Sequence, residues 1–592
     1  MHKATLRKVY IQHLAAMAWL FGSAGAAHAV LPETVNPGLK VVSLRPDNNF
    51  QPMVTGLGFL SDGRLVVSHW GGLHNDVDKL QTAGKIYIMS GVTGDAPSPV
   101  VSTYAQSLED PTGMLVKDDK IFVTGGQKLI ELPDANKDGK ADPARVICTL
   151  PGTHARHEFL FGLVFKDGKF WMNASSGKDV GGSLPAWGQK NPNRGTTLAV
   201  DPTTGTFEVF SMGLREPNGM GIGPEEDLFV PDVQGNFLPA NKLINIRKDR
   251  FYGFKHEPAE TWDNQKEYPP VVYLPQGDVA QALGNPLLIR QGDLPGDRFV
   301  GQMLLGDAVN GGIRRIFVER VAGEWQGSVF SFTGGLEAGP NRLIWGPDGY
   351  LYVGMCGQGA PGWAYKKDFG LQKVKPNGTD VFEMVAVRSR AGGLEIQFTH
   401  EPNAAALSAA SYTVRSWYYV PTSAYGGPAT GTNPAVSVGT PLLSPDKKSV
   451  FLPLSPLDGP SGGNGRVYNI KLKGIASVSG LSLWTQETWY TINNISTSIP
   501  FFKGTTKLAA PANKEEGFRI QARAGKLELA AKLGEMIARA QVRNMRGALV
   551  ADVNSAGGTV LEIPTAGWTS GIYIVTMRAG TGASYQREIA IP

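Results

Sequence analysis

The stretch LREPNGMGIGPEEDLFVPDVQG (Leu214–Gly235) decides how this chain folds. Pro217-Asn218-Gly219 is a turn tripeptide that leads into a short apolar strand. Pro224–Asp227 then turns the chain, and LFVPD returns as a second strand. The same plan recurs in VTGLGFLSDGRLVVS (Val54–Ser68), PTGMLVKDDKIFVT (Pro111–Thr124), LFGLVFKDGKFWMN (Leu160–Asn173) and PNRLIWGPDGYLYVG (Pro340–Gly354). Gly284–Asp307 carries a stretched version. An Asp-Gly or Asp-Asp turn between two apolar runs is a β-hairpin signature. Aligning the residue before the first strand gives Thr55, Thr112, Phe161, Asn218, Asn285 and Asn341, at gaps of 57, 49, 57, 67 and 56 residues. Six copies at a blade-sized period predict a six-bladed β-propeller. In such a ring the ends of the inner strands converge on one funnel, although they lie hundreds of residues apart.

At 592 residues the chain is long enough for several domains, and 74 Gly, 40 Pro and only 18% charged residues suit short strands joined by turns. Lys3, Arg7 and Lys8 precede the apolar run Tyr10–Ala26, and Ala27-His28-Ala29 has the small-x-small form of a cleavage site. Residues 1–29 therefore read as a signal peptide, which predicts export to the medium or cell surface, otherwise to the periplasm. Its removal lowers the formal charge from +5 to +2, which gives no argument for nucleic acid. No later stretch is long and apolar enough to span a bilayer. Cys148 and Cys356 are read either as a disulfide or as two buried thiols.

The predicted order is all-β: a six-bladed propeller over residues 30–380, then an immunoglobulin- or fibronectin III-like sandwich over 381–497, carrying LEIQFTHEP, SYTVRSWYYV and TWYTIN. A linker follows at 498–516, and a small C-terminal sandwich at 517–592.

DANKDGKAD (Asp134–Asp142) places Asp134, Asn136 and Asp138 at positions 1, 3 and 5, Gly139 at 6, the Lys140 carbonyl at 7 and Asp142 at 9. That spacing wraps hard oxygens around Ca2+, although Arg145 replaces the bidentate Glu at position 12; a solvated Asp/Asn/Gly turn is the alternative. His154 and His157 directly precede the third inner strand, where a neutral imidazole would serve as a base or a loop histidine would bond backbone. Arg215 and Asn218 flank the fourth inner strand, and Asp232 and Gln234 follow its hairpin; each is read either as a ligand group or as turn and surface chemistry. The same pair of readings covers Asp307, Arg314, Arg315 and Arg342, while Trp70, Trp363 and Tyr365 are candidates to stack on a sugar or to anchor loops.

HEFLFGLVF, GLREPNGMGIGPEEDLFVPDVQGNFLPANKLINI and GLEAGPNRLIWGPDGYLYVG together resemble the soluble PQQ-dependent glucose/sorbosone dehydrogenase family over residues 40–385. The resemblance implies a sugar substrate, PQQ and Ca2+ as cofactors, and an external electron acceptor. It implies His157 as the general base, Arg215 and Gln234 as cofactor contacts, and the carbonyls of Gly235 and Asn236 as a calcium-holding pair. Gln127 matches a substrate-side glutamine; Asn218, Asp232 and Asn341 are the other expected substrate contacts. The chain departs from the family where it has Glu216 for an asparagine, DAVNGG (Asp307–Gly312) for a lysine, and Gly339 and Asn341 for two arginines. Arg314, Arg315 and Arg342 are the candidates to replace those cations, with Arg315 and Arg342 as expected cofactor contacts. The tail segments VRNMRGALV, GWTSGIYIVTMRAG and YQREIAI resemble the sorting domain of type IX secretion substrates, which implies contact with that machinery.

Three functions remain after this reading: a calcium-dependent quinoprotein-like sugar dehydrogenase, a gluconolactonase-like hydrolase with a metal on Asn218, Asn341, Asp232 and Glu337, and a non-catalytic glycan-binding propeller. The last is favoured if the missing cations mean a lost cofactor site.

Overall fold

The computed structural model describes residues 34–72, 82–151, 158–176, 193–256, 261–357, 365–461, 464–498 and, with short gaps, 518–591. The signal segment, most of the 498–516 linker, His154, His157 and Trp363 lie outside the described residues. The chain divides into two compact units, Met1–Lys503 and Gly504–Pro592. Among the described residues no helix is long and apolar enough to cross a membrane.

Six four-stranded antiparallel blades form the propeller. Blade 1 is built from Val54–Phe59, Leu65–His69, Gly84–Ser90 and Val100–Leu108; blade 2 from Gly113–Lys117, Lys120–Gly125, Lys128–Leu132 and Arg145–Thr149. Blade 3 comprises Leu160–Lys166, Lys169–Ala174, Thr196–Val200 and Phe207–Met212; blade 4 comprises Gly221–Ile222, Leu228–Asp232, Asn241–Asn245 and Val272–Leu274. Leu287–Leu288, Met303–Gly306, Ile313–Val321 and Glu324–Thr333 make blade 5. In blade 6, Pro340–Trp345, Leu351–Cys356 and Phe369–Pro376 are completed by the N-terminal strand Leu39–Ser43, which closes the ring. The turns are formed as their residues dictate: Asp118-Asp119 (φ 52° and 58°) and Asp167-Gly168 (φ 52° and 75°) hold the paired positive φ of a tight hairpin turn.

The recurrent residue ahead of each inner strand has a structural task. Thr55 Oγ1 donates to the Pro111 carbonyl at 2.5 Å and Thr112 Oγ1 to that of Leu160 at 2.9 Å. Asn218 Nδ2 donates to Leu283 O, Asn285 Nδ2 to Leu343 O, and Asn341 Nδ2 to Val54 O, at 3.0, 3.2 and 2.8 Å. Each bond reaches the next blade, and the last returns to the first. Phe161 has no such group; Asn173 on the second strand of blade 3 takes over and donates to Pro217 O and Gly219 O. These bonds satisfy strand-end carbonyls that would otherwise be buried without a donor. The close approach they allow needs glycine: a Cβ on Gly113 would stand 2.2 Å from Gly162 O.

The middle sandwich belongs to the same compact unit. Its strands Tyr412–Tyr419, Ala429–Val438, Arg466–Leu472 and Glu487–Ile492 form one sheet, facing Met384–Arg390, Gly393–Phe398 and Ser449–Ser455. Glu487–Ile492 pairs directly with Glu324–Thr333, the outer strand of blade 5, so one sheet runs from propeller into sandwich. Phe330 of that blade sits in the sandwich core with Phe382, Leu394, Ile396 and Tyr490.

The second unit pairs Phe518–Arg523, Lys526–Ala531 and Val560–Pro564 in one sheet, and Leu549–Asn554, Ile537–Asn544, Gly571–Ala579 and Ser584–Ile591 in another. Leu527, Leu529, Ile537, Val542, Val575 and Met577 form its core.

Candidate functional site

In an antiparallel blade the links from second to third strand, and from one blade to the next, emerge on the same face. Trp70, Gln127, Arg215, the loop 233–240 and the loop 307–312 all belong to this upper face. Met53, Trp70, Phe159, Phe161 and Cys356 pack together at its rim, and Trp70 Nε1 donates to Asp110 Oδ1 at 2.7 Å.

Arg342 fills the axis. Its Nε donates to Thr55 O at 2.7 Å and its Nη2 to Thr112 O at 3.0 Å and Asn218 Oδ1 at 2.9 Å. Its Nη1 donates to Asn341 O and Oδ1, both at 3.0 Å, and to Asn218 O at 3.4 Å. One guanidinium thus ties blades 1, 2, 4 and 6, with every nitrogen engaged. Burial pushes its pKa down to about 10, so it stays charged at neutral pH. Asn218 and Asn341, expected at a substrate, are brought together at 2.9 Å, but as inter-blade staples and acceptors for this arginine.

Arg314 and Arg315 point elsewhere. Arg314 donates to Val279 O, Gly311 O and the Asp307 carboxylate, which in turn accepts the amides of Val309 and Asn310 and fixes the DAVNGG loop. Arg315 lies between the rings of Phe299 and Phe330, at 3.8 and 4.5 Å, and donates to Gln302 and to the carbonyls of Met384 and Val385. It is a joint between blade 5 and the sandwich, away from the axis.

Arg215 and Gln234 do share a corner. Asp232, fully buried, accepts the amides of Arg215, Glu216 and Val233 at 2.8–3.0 Å, which clamps the turn; burial holds its carboxyl above the usual range. Arg215 Nη1 donates to Val233 O at 3.3 Å, its cation stands 5.4 Å from the Tyr425 ring, and its buried Nε has no hydrogen-bond partner. Gly235 is required here, because a Cβ would lie 2.0 Å from that Nε. The sandwich closes over the loop. Gly426 N and Leu238 N both donate to Gly235 O at 3.1 Å, Phe237 N donates to Thr422 O, and Asn236 Nδ2 donates to Ser423 O.

PQQ carries three carboxylates and needs cations with free donors. Arg342 and Arg314 spend theirs on protein oxygens. Arg315 gives both terminal nitrogens to protein oxygens and keeps only a buried Nε between two phenyl rings, away from the axis. The Gly235 carbonyl expected to hold Ca2+ already accepts two amides. The residues present do not fit that group as the resemblance implies. Gln127 is buried on the upper face with φ 68°, and its carbonyl accepts the Leu150 amide.

The hydrolase ligand set is not assembled either: Glu337 is engaged by Arg45 at 3.2 Å and the Leu371 amide at 3.0 Å, while Asp232 clamps its own loop. The Asp134–Asp142 loop, expected from its spacing to hold Ca2+, lies on the opposite face, between the third and fourth strands of blade 2. Asp134 accepts Asp138 N and Gly139 N, Asn136 accepts Asp138 N, Asp138 accepts Lys140 N, and Asp142 accepts Ala135 N. Among the described residues no three His, Cys, Asp or Glu side chains converge as a metal-binding group. Cys148 and Cys356 are both buried free thiols, which decides that alternative; burial raises Cys356 to about 12.

In the comparisons, the model of a domain of unknown function (DUF7133) matches residues 37–265. No curated protein matches the chain. Similar solved structures include an oxidoreductase described as a glucose dehydrogenase from Thermus thermophilus, 17% identical over 57% of this chain and 100% of that chain, TM-score 0.42. Two others are the PQQ-bound aldose sugar dehydrogenase of Streptomyces coelicolor (15%, 58% and 99%, TM-score 0.40) and the PQQ domain of pyranose dehydrogenase from Coprinopsis cinerea (15%, 59% and 98%, TM-score 0.38). Likeness at this level carries no argument about activity.

Sequence reading missed a group of residues where the sandwich meets blade 4: Gln276, Asp278, Arg415, Trp417 and Tyr419 wall one cavity with Gln234. No spacing signal unites them, since they come from two folds more than a hundred residues apart.

Proposed function

We propose that this chain is an exported carbohydrate-binding propeller without a quinone cofactor. The observation that carries the reading is Arg342: the cation best placed on the axis to replace the missing ones has all its nitrogens committed to four blades. Carbohydrate as the ligand class is supported by the motif resemblance to sugar-acting propellers. Export through type IX-like machinery and a structural Ca2+ on Asp134–Asp142 belong to the same proposal, resting on sequence.

A second reading, the sugar dehydrogenase with His157 as base, keeps one specific support: the partnerless buried Nε of Arg215 at the corner it shares with Gln234. One experiment separates the two. Purified protein is incubated with PQQ and Ca2+, desalted, and examined for quinone absorbance, for dye-coupled oxidation of aldoses, and for retardation in polysaccharide-containing native gels. Retardation without bound quinone is expected. Stoichiometric quinone with aldose turnover overturns the reading in favour of the dehydrogenase.

A further inference from the structure

Between the upper loops of blade 4 and the facing sandwich strands lies a cavity of about 420 Å3. Gln234, Gln276 and Asp278 line it from the propeller, and Arg415, Trp417 and Tyr419 from the sandwich. Arg415 donates to Asp278 Oδ2 at 3.0 Å and Asn469 Oδ1 at 2.8 Å, and stands 5.0 Å from the Trp417 ring. The side-chain oxygens of Gln234 and Gln276 are buried and find no hydrogen-bond partner.

These features constrain a ligand. The volume lies within the range of small-molecule pockets, which favour domain junctions. Its lining carries one cation and one anion in contact, so no net charge is offered to a ligand. Two carbonyl oxygens lack donors and the Trp417 indole Nε1 lacks an acceptor, so the ligand must offer both; a carboxylate would bring acceptors only, and would face Asp278. An ammonium would meet Arg415. A hydroxyl both donates and accepts, and the carbon face of a sugar ring suits the aromatic wall. We propose that this junction cavity binds a neutral, hydroxyl-rich ligand the size of a pyranose. The site lies apart from the propeller axis, and its occupancy does not depend on binding at the aromatic rim.

Isothermal titration calorimetry of the full chain with D-glucose, D-galactose and N-acetyl-D-glucosamine, with D-glucuronate as the charged counterpart, tests it. Saturable binding of a neutral sugar, weaker for glucuronate, is expected. Gln276→Leu and Arg415→Met should each weaken it by about tenfold or more, the worth of one good hydrogen bond, with the melting midpoint of each variant recorded to establish folding. Absence of saturable binding by any neutral sugar, tighter binding of glucuronate, or unchanged affinity in both folded variants overturns the proposal. Loss in Trp70→Ala with retention in both junction variants moves binding to the rim and also overturns it, while leaving the carbohydrate reading of the propeller intact.

Discussion

The propeller axis and the blade 4–sandwich junction both gather buried polar side chains, yet they differ in hydrogen-bond satisfaction. On the axis every Arg342 nitrogen has an acceptor and the staples Thr55, Thr112, Asn218, Asn285 and Asn341 all reach the neighbouring blade. At the junction Gln234, Gln276 and Arg215 each keep a buried polar atom without a partner. A satisfied network holds a fold together, whereas an unsatisfied one is held by the fold at a cost, which points to a ligand. Polarity at the funnel alone does not separate the two.

The largest effect should come from breaking the axis. Arg342→Met removes the common donor of Thr55 O, Thr112 O and Asn218 O, leaving buried carbonyls and amides unpaired. A loss of about 3–5 kcal/mol is expected, the range for removing one partner of a buried charged network. Urea unfolding followed by tryptophan fluorescence measures it. A loss below about 1 kcal/mol would mean that the channel relaxes or fills with water, and the distinction between axis and junction would fail.

Acid should reveal a second satisfied position. His69 Nδ1 accepts the Met53 amide at 2.9 Å, and burial, aided by Lys85, pushes its pKa down to about 4. An unfolded histidine titrates near 6.5. Between these values the unfolded chain binds a proton that the folded chain refuses, so stability is full above about pH 6.5 and falls as the pH drops toward 4. The contribution is at most about 3 kcal/mol. His69→Gln should flatten this part of the stability–pH profile; an unchanged slope would show that other groups govern it.

How much of this was legible in the sequence follows from the range of each interaction. Hairpin turns such as Asp167-Gly168 and the apolar runs beside them are local, so the six blades are readable from residue spacing. The position of the staples was equally readable, but a side chain that bonds the next blade has the same polarity as one that bonds a ligand. Asn341 and Asn218 therefore resembled substrate contacts until their partners were seen. Arg315 sits on a strand whose neighbour continues into another fold. That neighbour's mixed polar and apolar sequence gave no local hint: Glu324–Thr333 is buried along nine consecutive residues because the sandwich strand Glu487–Ile492 pairs with it. The junction left no hint, because Gln276 and Arg415 meet only after two domains have formed.

The smallest effect should also be opposite in sign. Gln276→Leu removes a buried oxygen that has no donor, replacing it with an apolar group of similar size. The penalty of burying an unsatisfied acceptor is about 1–3 kcal/mol, part of which the variant recovers, so its unfolding free energy should stay level or rise by up to about 1 kcal/mol. Measured beside Arg342→Met in the same urea series, the two substitutions should move the midpoint in opposite directions, or the junction variant should not move it at all. If Gln276→Leu instead destabilises by more than about 1 kcal/mol, its oxygen is satisfied in solution, and the chemical ground for a ligand at the junction disappears. If stability is kept while sugar affinity is lost, the residue is retained for binding at the expense of stability, the reverse of the role that Arg342 plays on the axis.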